Sequence, residues 1–131
     1  MKNYCKLLEL EVGDFSMTNA TRKFLLEHIP KEYEFDASRL HDTRFGDFYD
    51  YKKRYASALR KIRKSLSPSL TLGECLALYC VLDDYKQVMP NSGEWMAFFG
   101  GYSLYLKLLD ATYGYLNAIL DFLPKRMISI V

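Results

Sequence analysis

Between Asp47 and Leu66 the chain reads DFYDYKKRYASALRKIRKSL, a stretch that carries an apolar stripe and a dense basic face at once. Phe48, Tyr51, Tyr55, Leu59, Ile62 and Leu66 recur at the three- and four-residue steps that gather side chains along one side of an α-helix. Lys53, Arg54, Arg60, Lys61 and Lys64 take the other side, with Lys52 and Arg63 at the margins. Such a segment demands a helix with one side against a core and the other in water. The rest of the chain has to supply that core.

At 131 residues the chain suits one domain, 1–131, and can bury roughly two thirds of its unfolded surface without covalent staples. Half of its residues are apolar, Gly and Pro are sparse, and aromatics reach 15%, which excludes a disordered or low-complexity chain. The net charge of +2 hides a segregation. Residues 47–66 hold seven of the eighteen basic residues and two of the sixteen acidic ones, so this segment is +5 and the remainder −3. One helix is basic; the protein is not.

Cys5, Cys75 and Cys80 are odd in number and lack metal-ligand spacing, which predicts buried reduced thiols. The amino-terminal MKNYCKLLELEV has acids within its apolar run and no small-residue cleavage site, unlike a signal peptide. The apolar region from Trp95 to Leu123 is interrupted by Lys107, Asp110, Asp121 and Gly100-Gly101, so no membrane span is expected. A soluble, cytoplasmic protein is the consistent expectation.

Residues 4–12 alternate, with Leu8, Leu10 and Val12 on one face and Glu9 and Glu11 on the other, which predicts a short strand ending at Gly13-Asp14. The carboxyl-terminal MISIV is the other β-like piece, so the two termini are expected to pair. A first helix should begin near Thr18 or Asn19 and be closed by Pro30, with Phe24, Leu25 and Ile29 inward. Residues 31–46 show no sustained period.

Thr71 and Glu74 form a T-x-x-E capping box that opens a helix over 72–88. Its apolar residues surround most of the axis, which places it at the centre of a bundle. Asn91 and Glu94 repeat the capping spacing before a short helix that bends or breaks at Gly100-Gly101. In the final helix, about 102–122, Ser103, Lys107, Asp110, Gly114, Asn117 and Asp121 form one narrow polar line and apolar residues fill nearly all the rest. Either the helix lies in the middle of the monomer, or part of it packs on a second copy through Tyr102, Tyr105, Tyr113 and Tyr115.

Chemistry has few places to reside. There is no G-x-S-x-G, no papain-like cysteine context and no phosphate-binding glycine loop. His28 reads as a ring beside a helix end, where a cationic imidazole favours the dipole. His41, Asp42, Asp47 and Asp50 lie close in sequence but match no metal-site pattern, and Asp42 or Asp47 reads more simply as a helix cap. No catalytic residue, cofactor or metal is expected.

The sequence therefore predicts an all-α, mostly helical bundle of four to five helices, with at most a minor β-ribbon formed by the two termini. The function expected is that of a small non-enzymatic interaction or regulatory protein that binds a protein partner. Nucleic-acid binding along Lys53, Arg54, Arg60, Lys61 and Lys64, directed at the backbone, is the alternative. An enzyme whose site is assembled from distant residues is the second. An ordinary solvated helix remains the plainest account of the basic face.

Overall fold

Thr71 and Glu74 start the element around which the others are arranged. In the computed structural model, which describes residues 8–33 and 51–120 and only the backbone at 32, 51 and 115–120, the T-x-x-E spacing closes as a capping box. The Thr71 side chain accepts from the Glu74 amide at 3.2 Å, and the Glu74 carboxylate accepts from the Thr71 amide at 2.9 Å.

In chain order the described elements are β1 (Glu11–Asp14); α1, made of Asn19–Lys23, a π-helical turn Phe24–His28 and Ile29–Glu32; α2 (Tyr51–Lys64); β2 (Ser69–Thr71); α3 (Leu72–Val88); α4 (Ser92–Phe98); and α5 (Gly101–Leu120). The protein is a mostly helical bundle with a two-stranded antiparallel ribbon.

α3 is buried on nearly every side, as its apolar circumference requires. It packs against α2 on one flank and α5 on the other. The core joins Phe24, Leu25 and Ile29 of α1 to Ala58 and Ile62 of α2, to Leu78, Val81, Leu82 and Tyr85 of α3, and to Met96, Leu104 and Leu108 beyond. Each fully buried large aliphatic or aromatic side chain stabilises by about 1.5–3 kcal/mol. Asp47 to Asp50, the expected first turn of α2, lie outside the described residues.

The ribbon differs from the expectation in its partner. Glu11 pairs with Thr71, Gly13 with Leu70 and Asp14 with Ser69, so β1 lies along the connection between α2 and α3. Further bonds from Leu72 to Leu10 and from Phe15 and Met17 to Pro68 and Leu66 extend the strap at both ends. The extended Ser-Pro-Ser link already holds free backbone donors and acceptors beside the α3 cap, and β1 satisfies them. The expected partner, MISIV, lies outside the described residues. The strand begins only at Glu11, because Leu8 is fully buried while Leu10 is exposed, so the two do not share a face. A bulge at Gly13, φ +137°, uses a conformation that glycine alone adopts readily.

α1 does not stop at Pro30. Thr18 caps its start, and Phe24, Leu25 and Ile29 are buried as expected, but the helix continues to Glu32. Proline lacks a donor and crowds the preceding turn, so an α ladder fails there. The Ile29 amide instead reaches five residues back to the Phe24 carbonyl, and the widened turn carries the chain through.

The second expected capping box does not form. Asn91 adopts a left-handed backbone, φ 59° and ψ 20°, rather than the extended one an N-cap requires, and its side chain makes no cap bond. The turn into α4 is tied by Ser92 Oγ, which donates to the Lys86 carbonyl at 2.8 Å. The chain then breaks at Gly100, φ +75°, where α4 gives way to α5.

Candidate functional site

At about 100° of rotation per residue, α2 sorts its cations into columns. Arg60 and Lys64 each point within about 20° of Lys53, one on either side, and the three face away from Ala58 and Ile62. Lys52 and Arg63 form a flank. Arg54, Ser57 and Lys61 lie on the opposite flank, turned toward β2 and the first turn of α3. The five cations read from sequence as one face are thus two groups: Lys53, Arg60 and Lys64 are exposed, whereas Arg54 and Lys61 are partly covered.

The covered pair is engaged internally. Lys61 Nζ donates to Glu74 at 2.7 Å and to the Ser69 carbonyl at 3.2 Å, and Arg54 meets Glu9 at 3.0 Å. Ser57 donates to the second Glu74 oxygen at 2.5 Å. Glu74 is only 3% exposed, yet both carboxylate oxygens have donors, so its burial is satisfied. Burial alone would raise its pKa. Hydrogen bonds from Lys61, Ser57 and the Thr71 amide, with the Lys61 charge, outweigh that and hold it below the usual carboxylate range.

Arg54 lies close over Gly73. A β-carbon there would meet the guanidinium at 2.7 Å and the Leu8 carbonyl at 3.0 Å, so glycine is what lets the arginine cross the start of α3. Between α2 and this turn lies a cleft of about 360 Å³, lined by Glu9, Arg54, Ser57, Lys61, Thr71 and Glu74, with Lys53 and Arg60 at the same opening.

The expected oligomer tyrosines are placed unequally. Tyr105 is buried, stacks on Tyr79 at 5.4 Å and donates to Asp83 at 2.8 Å; Tyr113 meets Tyr79 edge-on at 5.6 Å. Tyr102 is 41% exposed, and the Tyr115 side chain lies outside the described residues. Burial and the Tyr105 hydrogen bond raise the Tyr79 pKa; burial and Asp83 raise that of Tyr105. Among the described residues the most exposed aromatic is Phe98 of α4, with Trp95 beside it on the same short helix.

His28 is not beside a helix end, because α1 runs past it. Its ring stacks on Phe24 at 5.4 Å and lies near Trp95 and Phe99, and its Nε2 is 3.2 Å from the Tyr85 hydroxyl. Tyr33 donates a short hydrogen bond to buried Asp84 nearby. His41, Asp42, Asp47, Asp50 and Cys5 lie outside the described residues. Among those described, no group of three or more His, Cys, Asp or Glu is placed to hold a metal ion. Cys75 and Cys80 are buried and not joined in a disulfide, and burial together with the Glu74 charge pushes the Cys75 thiol up to about 12.

Sequence reasoning missed Ser57, Glu74, Thr71 and Glu9 as neighbours of the basic residues. Only the T-x-x-E spacing signalled any of them, and it signalled a helix start. No protein-family model, curated protein or solved structure matches the chain. Among the described residues no helix is long and apolar enough to cross a membrane.

Proposed function

We propose that this protein is a non-enzymatic, cytoplasmic interaction module of regulatory character, which binds an acidic surface of a protein partner along the outer ridge of α2. The observation that carries this is the sorting of charge on that helix. Arg54 and Lys61 are partly covered, and Lys53, Arg60 and Lys64, flanked by Lys52 and Arg63, are exposed in a row along the outer side. A row spanning eleven residue steps of rigid helix is about 16 Å long. Ala58 and Ile62 anchor its other side, so the ridge is presented in a fixed orientation. Among the described side chains of α2, Tyr55, Ala58, Leu59 and Ile62 pack in or against the core, which is not the arrangement of a helix that offers its apolar side to a lipid surface.

Backbone-directed nucleic-acid binding would use the same ridge and is the alternative outcome of the test. Fluorescence anisotropy with a labelled Asp/Glu-rich peptide and with a labelled duplex DNA, each titrated over a salt series, separates the two. The acidic peptide should bind more tightly, and K53Q/R60Q/K64Q should abolish that binding. Tighter binding to the duplex, with a steeper salt slope, transfers the ridge to nucleic acid. Equal behaviour of native and triple-variant proteins removes the ridge from function.

A further inference from the structure

We propose that the cleft between residues 16–18, the start of α1 and the first two turns of α5 is a binding site for a monocarboxylate that carries a short apolar tail. At about 370 Å³ it falls within the range of small-ligand sites and exceeds what a carboxylate group alone would fill, so it also has room for a few carbons beyond that group.

Hydrogen bonds already hold its walls. Thr21, only 3% exposed, donates to the Phe99 carbonyl at 2.8 Å and so ties α1 to the turn that precedes α5. Gly100 passes close enough to that hydroxyl that a β-carbon would meet it at 2.9 Å. On the other side the Met17 amide donates to the Leu66 carbonyl at 2.8 Å, and Ser16 shares a hydrogen bond with Ser67 at 3.0 Å. The cleft is therefore shaped before a ligand arrives.

The donors left over select the ligand. Thr21 gives its proton to Phe99, so in its 3.2 Å bond with Thr18 the proton comes from Thr18, and both threonine donors are taken. Lys107 and Ser103 differ: among the described residues neither side chain has a hydrogen-bond partner, and Lys107 has no ion pair. They lie four residues apart, about 6 Å along α5, and so stand one turn apart on one face at the edge of the cleft. An ammonium and a hydroxyl set in this way offer one donor to each oxygen of a carboxylate. Lys107 is the one basic residue of α5, and among the described residues no acid lines the cleft. A single positive charge matches a monoanion better than a dianion, and the amino-terminal turn of α5 adds a partial charge of the same sign. Met17 and Leu104 supply the apolar surface for the tail. No residue of α2 lines this cleft, so it requires neither the ridge nor a protein partner.

The test is an amide NMR titration of the full chain with sodium butanoate, butanamide, inorganic phosphate and an acetylated peptide ending in a free valine carboxylate, at ionic strength held constant with sodium chloride. Butanoate should give saturable shifts centred on Met17, Thr18, Gly101 to Leu104 and Lys107, and uncharged butanamide should bind about tenfold more weakly. Phosphate, largely a dianion above about pH 7, should bind no more tightly than butanoate. Lys107→Gln should weaken butanoate binding about tenfold and Ser103→Ala about threefold. Lys31→Gln, an equal loss of charge about 15 Å along α1 from Thr21, should leave it within about twofold. Saturation by butanoate assigns the site to small free acids, and saturation by the peptide alone assigns it to a chain end; either result supports a carboxylate site. Shifts that stay linear, equal binding of butanoate and butanamide, tighter binding of phosphate, or equal losses in K107Q and K31Q overturn it. Because Lys31, Ser103 and Lys107 are exposed, circular dichroism should show all three variants folded.

Discussion

Glu74→Ala tests whether the carboxylate at the start of α3 is a structural hub. The substitution removes three interactions: acceptance from the Thr71 amide, from Ser57 and from Lys61. Loss of the capping box costs about 1 kcal/mol. Leaving Ser57 without its acceptor costs about 0.5–1 kcal/mol, since a partly covered hydroxyl can turn toward water. Lys61 is partly exposed and keeps the Ser69 carbonyl, so its loss is discounted to about 0.5–1 kcal/mol. The total is about 2.5 kcal/mol. With a urea m-value of about 1.5 kcal/mol/M, the denaturation midpoint should fall by about 1.7 M.

Glu74→Gln keeps the capping geometry and removes the charge, so it should cost about 1 kcal/mol at pH 7. The pH dependence has a definite sign. The folded pKa lies below the unfolded value of 4.5, so the unfolded chain takes up the proton first. The contribution of the ionised carboxylate is fully present above that value and is lost as pH falls through the folded pKa. The gap between native and E74Q should therefore narrow from pH 6 to pH 3. A midpoint shift below about 0.5 M for E74A, or a gap that stays constant with pH, would falsify the hub.

Gly101→Ala should destabilise by about 2 kcal/mol despite better helix propensity, because a β-carbon would meet the fully buried Phe24 ring at 2.9 Å. Gly114→Ala on the same helix meets nothing within 4 Å and should stabilise by about 0.5–1 kcal/mol; thermal melts showing the same sign for both refute this packing of α5 on α1. Tyr55, raised to about 12 by burial, and Tyr79 and Tyr105, also raised, hold their protons in the fold after the unfolded chain has lost them near pH 10. Stability should fall as pH rises above 10, with phenolate absorbance at 295 nm appearing together with loss of helix; full tyrosine titration near pH 10 in a folded protein would contradict it.

Where one segment contains its own physical signal, the structure follows the sequence. Thr71 and Glu74 are three residues apart, so their capping box was legible, and the apolar circumference of 72–88 already required neighbours on several sides. The stripe Tyr55, Leu59 and Ile62 turns inward as its spacing demands. Signals that rest on one residue type proved weaker. Pro30 marks a helix end only if the ladder stays α-helical, and a five-residue hydrogen bond evades that rule. Asn91 has the composition of a cap, but its backbone decides otherwise.

The amino-acid sequence by itself determined the helical class, the central helix and the existence of a cationic side on α2, because periodicity and local capping depend on residues within a few turns. Tertiary structure alone decided which cations remain outward. Glu74 is seventeen residues from Ser57, and Glu9 lies on a segment brought in by pairing with a three-residue strand too short for its alternation to announce it. Their docking converts Arg54 and Lys61 from surface charges into internal ties. The exposed ridge and the cleft exist only because those two distant carboxylates arrive on one flank of the helix and not on the other.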